Sequence, residues 1–213
     1  MKLLHIDSSI LGAQSVSREL SAATVSAWRE AVPSLQVTYR DLALTAPPQL
    51  TGETVNILKF GAAPASPSNA VTADLAVTEE LLVEFLAADA VVIGAPMYNF
   101  SVPTQLKTWI DAIAQPGRTF TYTPQGPKGL AEGKHVVIAS SRGNAYSQPP
   151  MSAKDFQEPY LLAVLNLMGI SKIDIVRAEG VNLGPAQRDG ALQQAHQTIA
   201  ALFGATLAVA APS

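Results

Sequence analysis

The sequence predicts a three-layer α/β fold, with helices on both faces of a five-stranded parallel sheet. Three observations lead there. Short apolar runs rich in β-branched residues alternate with helix-patterned stretches along all 213 residues, and parallel neighbours need such crossover helices. The run Ala90–Ala95 is apolar at consecutive positions, as a strand buried on both faces is. The residues with unusual chemistry fall in the loops after strands one, three and four. The pattern alone leaves strand order open, but the order 2-1-3-4-5 would gather those three loops into one crevice at the carboxyl ends of the strands.

Taken in order, residues 2–6 read as the first strand and residues 7–17 as a hydroxyl-rich loop. A helix follows on the spacing of Leu20, Ala23, Ala27 and Trp28, with Ser17 as its expected N-cap. Pro33-Ser34 ends it, and residues 35–40 alternate as a strand nearer the sheet edge does. Residues 41–72 are the least regular part. They carry Pro47, Pro48, Pro64 and Pro67 around a short helix expected at 53–60. An excursion of that length reads as a lid or an oligomer contact, or else as a solvated insertion.

Residues 73–88 form a helix that feeds the central strand. The next helix starts near Pro103, where a missing N–H is harmless, and repeats Leu106, Trp109, Ile110 and Ile113 at helical spacing. Alternation in Thr119–Thr123 followed by turn residues predicts a hairpin or flap within 117–129. Residues 134–140 are the fourth strand, 156–168 a helix with Gly169 at its cap, and 172–176 the fifth strand. A helix over 187–203 closes the chain, with a frayed or lightly docked tail from Gly204. No linker divides the chain, so residues 1–213 are read as one domain.

The composition narrows the function. Hydrophobic residues make up 48% and charged residues 15% of the chain, and the net charge of −3 comes without a basic run. That argues against nucleic acid as the partner. There is no cysteine, which excludes thiol nucleophiles and zinc-thiolate sites and suits a reducing cytoplasm. No run is long enough to span a bilayer. His5, His135 and His196 lie on separate elements without ligand spacing, so neither a metal site nor a hydrolytic triad is expected.

The first loop offers Ser8, Ser9, Ser15 and Ser17 ahead of a helix, with Arg18 as the nearby cation. Helix N-termini present free N–H groups and a positive dipole end, so these hydroxyls suit a phosphate; equally, serines serve as turns and caps. The loop lacks G-x-G-x-x-G and a Walker lysine, which favours a phosphomonoester over a dinucleotide or a nucleoside triphosphate. The second loop, Pro96-Met97-Tyr98-Asn99-Phe100-Ser101, pairs flat apolar faces with an amide, as a planar aromatic ligand needs. The third, Ser140-Ser141-Arg142-Gly143-Asn144, supplies a glycine for close approach and several donors. There Arg142 either stabilises charge on a reduced ring or forms a surface salt bridge.

With Pro96–Asp111 as the most specific stretch, and Gly117-Arg-Thr-Phe120 and Gly126-Pro-Lys-Gly-Leu130 as secondary marks, the sequence resembles the FMN-dependent NADH azoreductases. These are also described as NAD(P)H:quinone oxidoreductases of the flavodoxin-like superfamily. The likeness runs essentially end to end. It implies that Ser9, Ser15, Val16 and Ser17 hold the FMN phosphate. Pro96, Met97, Tyr98, Asn99 and Phe100 would line the isoalloxazine, and Ser141, Arg142, Gly143 and Asn144 would border its other side. The family commonly has a second glycine where this chain has Asn144, whose side chain would narrow the crevice or add a donor.

The resemblance further implies a homodimer with sites at the interface, in the cytoplasm that the lack of cysteine already suits. Phe60, Phe100, Phe120 and the 41–72 excursion would then form substrate walls, Phe120 being otherwise a core residue. The flavin carries the chemistry, so no catalytic side chain is expected. The expected reaction is a ping-pong cycle taking two electrons from NADH or NADPH to quinones or azo compounds, with a backbone N–H near Asn99 facing the ring. The alternative is a flavodoxin-like electron carrier without turnover of its own, for which a charge of −3 is modest.

Overall fold

The computed structural model describes residues 1–61 and 67–209, with side chains to Gly204. A parallel sheet carries the strands β1 (Lys2–Asp7), β2 (Gln36–Asp41), β3 (Ala90–Pro96), β6 (His135–Arg142) and β7 (Lys172–Glu179). Their spatial order is β2-β1-β3-β6-β7, which is 2-1-3-4-5 when only these five are counted. The antiparallel pair β4 (Phe120–Thr123) and β5 (Gly126–Gly129) stands apart as the expected hairpin.

Side chains on a strand alternate between faces, and here both faces are dry. Leu4, Ile6, Val91, Ile93, Val136 and Ile138 pack under the helices α3 (Asn69–Ala87), α4 (Thr104–Ile113) and α5 (Glu158–Leu167). Leu3, Val92, Val137 and Ala139 face the opposite way, under α1 (Val16–Ala31) and α6 (Pro185–Val209). The stripe Leu106, Trp109, Ile110 and Ile113 predicted for α4 is buried throughout. Trp109 meets the edge of its ring neighbour Phe85 at 5.9 Å.

Several boundaries differ from the sequence reading. Ser15, not Ser17, is the N-cap of α1: its Oγ accepts from the Arg18 N–H. Ser17 is instead fully buried on the first turn, and its Oγ lies 3.1 Å from that of Ser15. The short helix of the excursion is α2 (Gly52–Phe60), opened by a Thr51/Thr54 capping box and closed by Gly61 at φ 63°. Helix α3 starts earlier than residue 73, because the Ser68 Oγ accepts from the Val71 N–H. Pro64 lies outside the described residues. Helix α5 is capped at Met168, with Gly169 following at φ 89°. Helix α6 runs through Gly204 to Val209 rather than fraying there.

The rim of the sheet is tied to the strands beneath it. A Cβ on Gly94 would come within 2.3 Å of the Asp7 carboxylate, so β3 needs glycine where β1 ends in a buried acid. The neighbouring Ser8 hydroxyl donates to the Gly94 carbonyl at 2.7 Å. These contacts fix the start of the first loop against the end of β3.

Candidate functional site

The loops after β1, β3 and β6 meet at the carboxyl ends of the strands. Together with the last residues of β3 and β6 and the first of α1, they line one crevice with Ser9, Ser15, Val16, Pro96, Met97, Tyr98, Ser141, Arg142 and Gly143, enclosing about 100 Å³. Two contacts lock the three loops together. The Met97 N–H donates to the Ser141 carbonyl at 2.8 Å, and the Tyr98 hydroxyl lies 3.0 Å from the Ser9 Oγ.

The second loop is a tight turn. Tyr98 and Ser101 exchange backbone hydrogen bonds of 2.9 and 3.1 Å. The two residues between them, Asn99 and Phe100, both sit in the left-handed region at φ 49° and 73°. For a phenylalanine that conformation stores strain of about 1–2 kcal/mol. The turn thrusts Phe100 outward, where it is 42% exposed. There its ring meets Tyr146 edge-on at 6.2 Å, with the Lys154 ammonium 6.0 Å above it. Among the described residues the N–H groups of Asn99 and Phe100 have no hydrogen-bond partner, so they remain available at the rim.

The first loop is shaped by a clamp. Arg18 donates from Nε and Nη2 to the Ser9 carbonyl at 3.1 and 2.7 Å. It also grips both Asp41 oxygens at 2.6 and 2.7 Å. The hydrogen bond from Arg18 holds the Asp41 carboxyl below its usual range. Behind them, Asp7 accepts from Ser21 at 2.7 Å and from Tyr39 at 3.0 Å. Arg18 therefore orders the loop without a guanidinium left over for an incoming anion.

Arg142 corrects the sequence reading more sharply. Its side chain is 1% exposed and turned toward carboxylates, contacting Asp155 at 2.8 Å, Glu158 at 2.7 Å and Glu179 at 3.6 Å. Gln157 accepts from its Nε at 3.0 Å and donates to the Ala95 carbonyl at 2.7 Å. Burial works to raise the Glu158 carboxyl, but Arg177 and Arg142 outweigh it and hold the group below the usual range. The guanidinium is thus a buried strut between β6, α5 and β7. It is neither a surface salt bridge nor a spare charge for a ring.

The other predicted residues are placed apart from the crevice lining. Asn99 and Phe100 stand at the rim. Asn144 is exposed, and its Oδ1 accepts from the next N–H, that of Ala145, at 2.8 Å. Phe60 is 73% exposed at the end of α2. Phe120 is 5% exposed and packs edge-on against Tyr122 at 5.5 Å, a core position within this chain. Leu11, Gln14, Val181, Asn182 and Arg188 also line the crevice and were not picked out from the sequence. A Cβ on Gly143 would meet the Asn182 amide at 2.6 Å, which is why the third loop needs glycine beside that segment.

One end of the crevice is a bed of hydroxyls at the N-terminus of a 16-residue helix; the other is Met97 and Tyr98. That arrangement suits an anion joined to a flat apolar ring. Among the described residues no cluster of His, Asp or Glu is placed to hold a metal ion, and no helix is long and apolar enough to cross a membrane.

Known proteins match this architecture throughout. A family model described as a flavodoxin-like fold matches residues 1–203. An FMN-dependent NADH:quinone oxidoreductase of Azospirillum brasilense is 54% identical over 207 residues, covering 95% of this chain and 97% of its own. One of the same name from Rhizobium meliloti is 51% identical, covering 94% and 96%. The crystal structure of an azoreductase from Bacillus anthracis superposes with a TM-score of 0.86 at 28% identity, covering 95% and 98%. The strand order, the crevice at the switch of that order and these end-to-end matches agree: the chain belongs to the flavodoxin-like family.

Proposed function

We propose that this chain is an FMN-dependent oxidoreductase that passes two electrons from NADH to quinones and reductively cleaves azo compounds. The observation that carries the reading is the crevice in which a hydroxyl-lined helix terminus and an aromatic loop are bonded to each other through Ser9 and Tyr98. The donor set fits FMN. Ser9, Ser15 and the Val16 N-terminus of α1 suit a phosphomonoester, while Pro96, Met97, Tyr98 and the backbone of Ser141 to Gly143 suit one edge and face of a planar ring.

FMN, when bound, supplies hydride acceptance and donation. The chain's own part is to hold and orient it. The Arg18 clamp shapes the phosphate loop, the strained turn presents the Asn99 and Phe100 N–H groups at the rim, and Phe100 offers an apolar wall to whatever stacks there. The buried Arg142 strut fixes the third loop, its own positive charge already taken up by Asp155 and Glu158. No nucleophile is needed, in keeping with a chain without cysteine.

The exposed Phe60 and Phe100 favour a homodimer in which one protomer walls the other's site, while the buried Phe120 supports that wall from within its own chain. The residue composition favours the cytoplasm. Steady-state kinetics test the cycle: with NADH and 1,4-benzoquinone varied together, double-reciprocal plots should be parallel. Intersecting lines would exclude a ping-pong order, and no FMN-dependent NADH oxidation by quinone at all would exclude the function.

A further inference from the structure

We infer that Arg188, in the first turn of α6, is the cation that reads the phosphate of the flavin. This rests on the flavin reading above and adds to it a residue that lies outside the three loops. Arg188 lines the same crevice as Ser9, Gln14, Ser15 and Val16, and it is partly buried. Among the described residues it forms no ion pair, unlike Arg18 and Arg142, which carboxylates already occupy.

The packing of two helices explains how it gets there. Helices α1 and α6 follow strands of one parallel sheet and pack side by side on the same face, so they point the same way. Their register is marked by His196, which lies beside Glu19 at 3.5 Å. At 1.5 Å per residue, Ser15 lies about 6 Å upstream of Glu19, and Arg188 about 12 Å upstream of His196. Arg188 therefore projects roughly one helical turn beyond the start of α1, over the mouth of the phosphate loop.

The chemistry demands something there. The bed of the loop is neutral: hydroxyls of Ser9 and Ser15, and the N–H groups that open α1. A phosphomonoester brings close to two negative charges at neutral pH, and the one arginine inside the loop is spent on Asp41 and on the Ser9 carbonyl. Arg188 supplies the missing charge, with a planar fork that matches two phosphate oxygens. It thereby makes the site selective for FMN over riboflavin, the same ring without the phosphate.

The test compares apoprotein affinities for FMN and for riboflavin by quenching of flavin fluorescence, in the wild type and in Arg188→Gln and Arg188→Lys. Circular dichroism melts confirm that each variant is folded. Arg188→Gln should weaken FMN by about tenfold or more, leave riboflavin within about twofold, and flatten the salt dependence of FMN binding. Arg188→Lys should recover part of the FMN loss. Unchanged FMN affinity in Arg188→Gln, or equal weakening of both flavins, would overturn the assignment. So would a wild type that holds both flavins equally well. A wild type that binds neither flavin would instead strike the flavin reading itself.

Discussion

The phenol oxygen of Tyr98 lies 3.0 Å from the hydroxyl oxygen of Ser9, so one hydrogen bond joins the loop after β1 to the loop after β3. Each loop serves a different end of the proposed ligand, and this bond sets their spacing. A single hydrogen bond contributes about 0.5–1.5 kcal/mol net. Tyr98→Phe should therefore weaken FMN by about two- to tenfold while keeping the apolar face of the ring. Fluorescence titration of the apoprotein checks this, and an unchanged affinity would mean that the loops are spaced by other contacts.

The backbone at Phe100 is held at φ 73°, where glycine is at ease and a side chain is not. Phe100→Gly and Phe100→Ala both remove the ring, so the difference between them isolates the backbone. The glycine variant should be the more stable by about 1 kcal/mol in urea unfolding. Both variants should reorder quinone and azo substrates more than they alter FMN affinity. Equal stability of the two would place the strain elsewhere, and an unchanged substrate order would remove Phe100 from the substrate wall.

Arg142 is 1% exposed among Asp155, Glu158 and Glu179. Arg142→Met leaves the buried Glu158 and the partly buried Asp155 and Glu179 facing one another, with only Arg177 still paired to Glu158. Breaking a buried pair by removing one partner costs about 3–5 kcal/mol, and denaturant unfolding should show a loss of that order. A loss below about 1 kcal/mol, the level of an exposed pair, would contradict the strut.

Acid should destabilise the protein through carboxylates held below their usual range. Asp41 is held there by Arg18, and Glu158 and Glu179 are held there by their arginine and hydrogen-bond partners against the opposing effect of burial. In the unfolded chain these groups take up protons near pH 4, whereas the folded chain resists. Their contribution is therefore complete above that range and is lost as pH falls through the depressed folded values. Thermal melts between about pH 3 and pH 7 should show the midpoint falling with acid. Asp41→Asn should lower the midpoint at neutral pH and make the acid slope shallower. An identical slope in the variant would mean that Asp41 takes no part.

Local patterns in the sequence carried most of the fold and much of the site. The doubly buried run of β3, the helical stripe of α4 and the turn residues of the hairpin are short-range signals, and each element formed where its pattern lies. Ser15 and Ser17 were separable only by cap geometry, because both are serines near a helix start and the choice depends on which hydroxyl reaches the Arg18 N–H. Arg142 could not be read as buried, since its partners Asp155, Glu158 and Glu179 come from segments 13 to 37 residues away that only the fold assembles. Asn182 and Arg188 escaped notice because nothing in their own neighbourhood sets them apart; Asn182 reaches the crevice because its N–H donates to the Gly143 carbonyl at 3.0 Å, and Arg188 because α6 packs beside α1. Gly94 was a readable clue, as a glycine inside an otherwise β-branched strand signals close approach, here by the Asp7 carboxylate.

The central claim is that this crevice holds FMN and passes electron pairs through it, and anaerobic absorbance spectroscopy of the purified protein reaches it most directly. The preparation should be yellow with bound FMN, bleach on addition of NADH, and recover its colour on addition of a quinone. A protein that stays colourless after incubation with FMN, or a bound flavin that NADH leaves oxidised, would contradict the account.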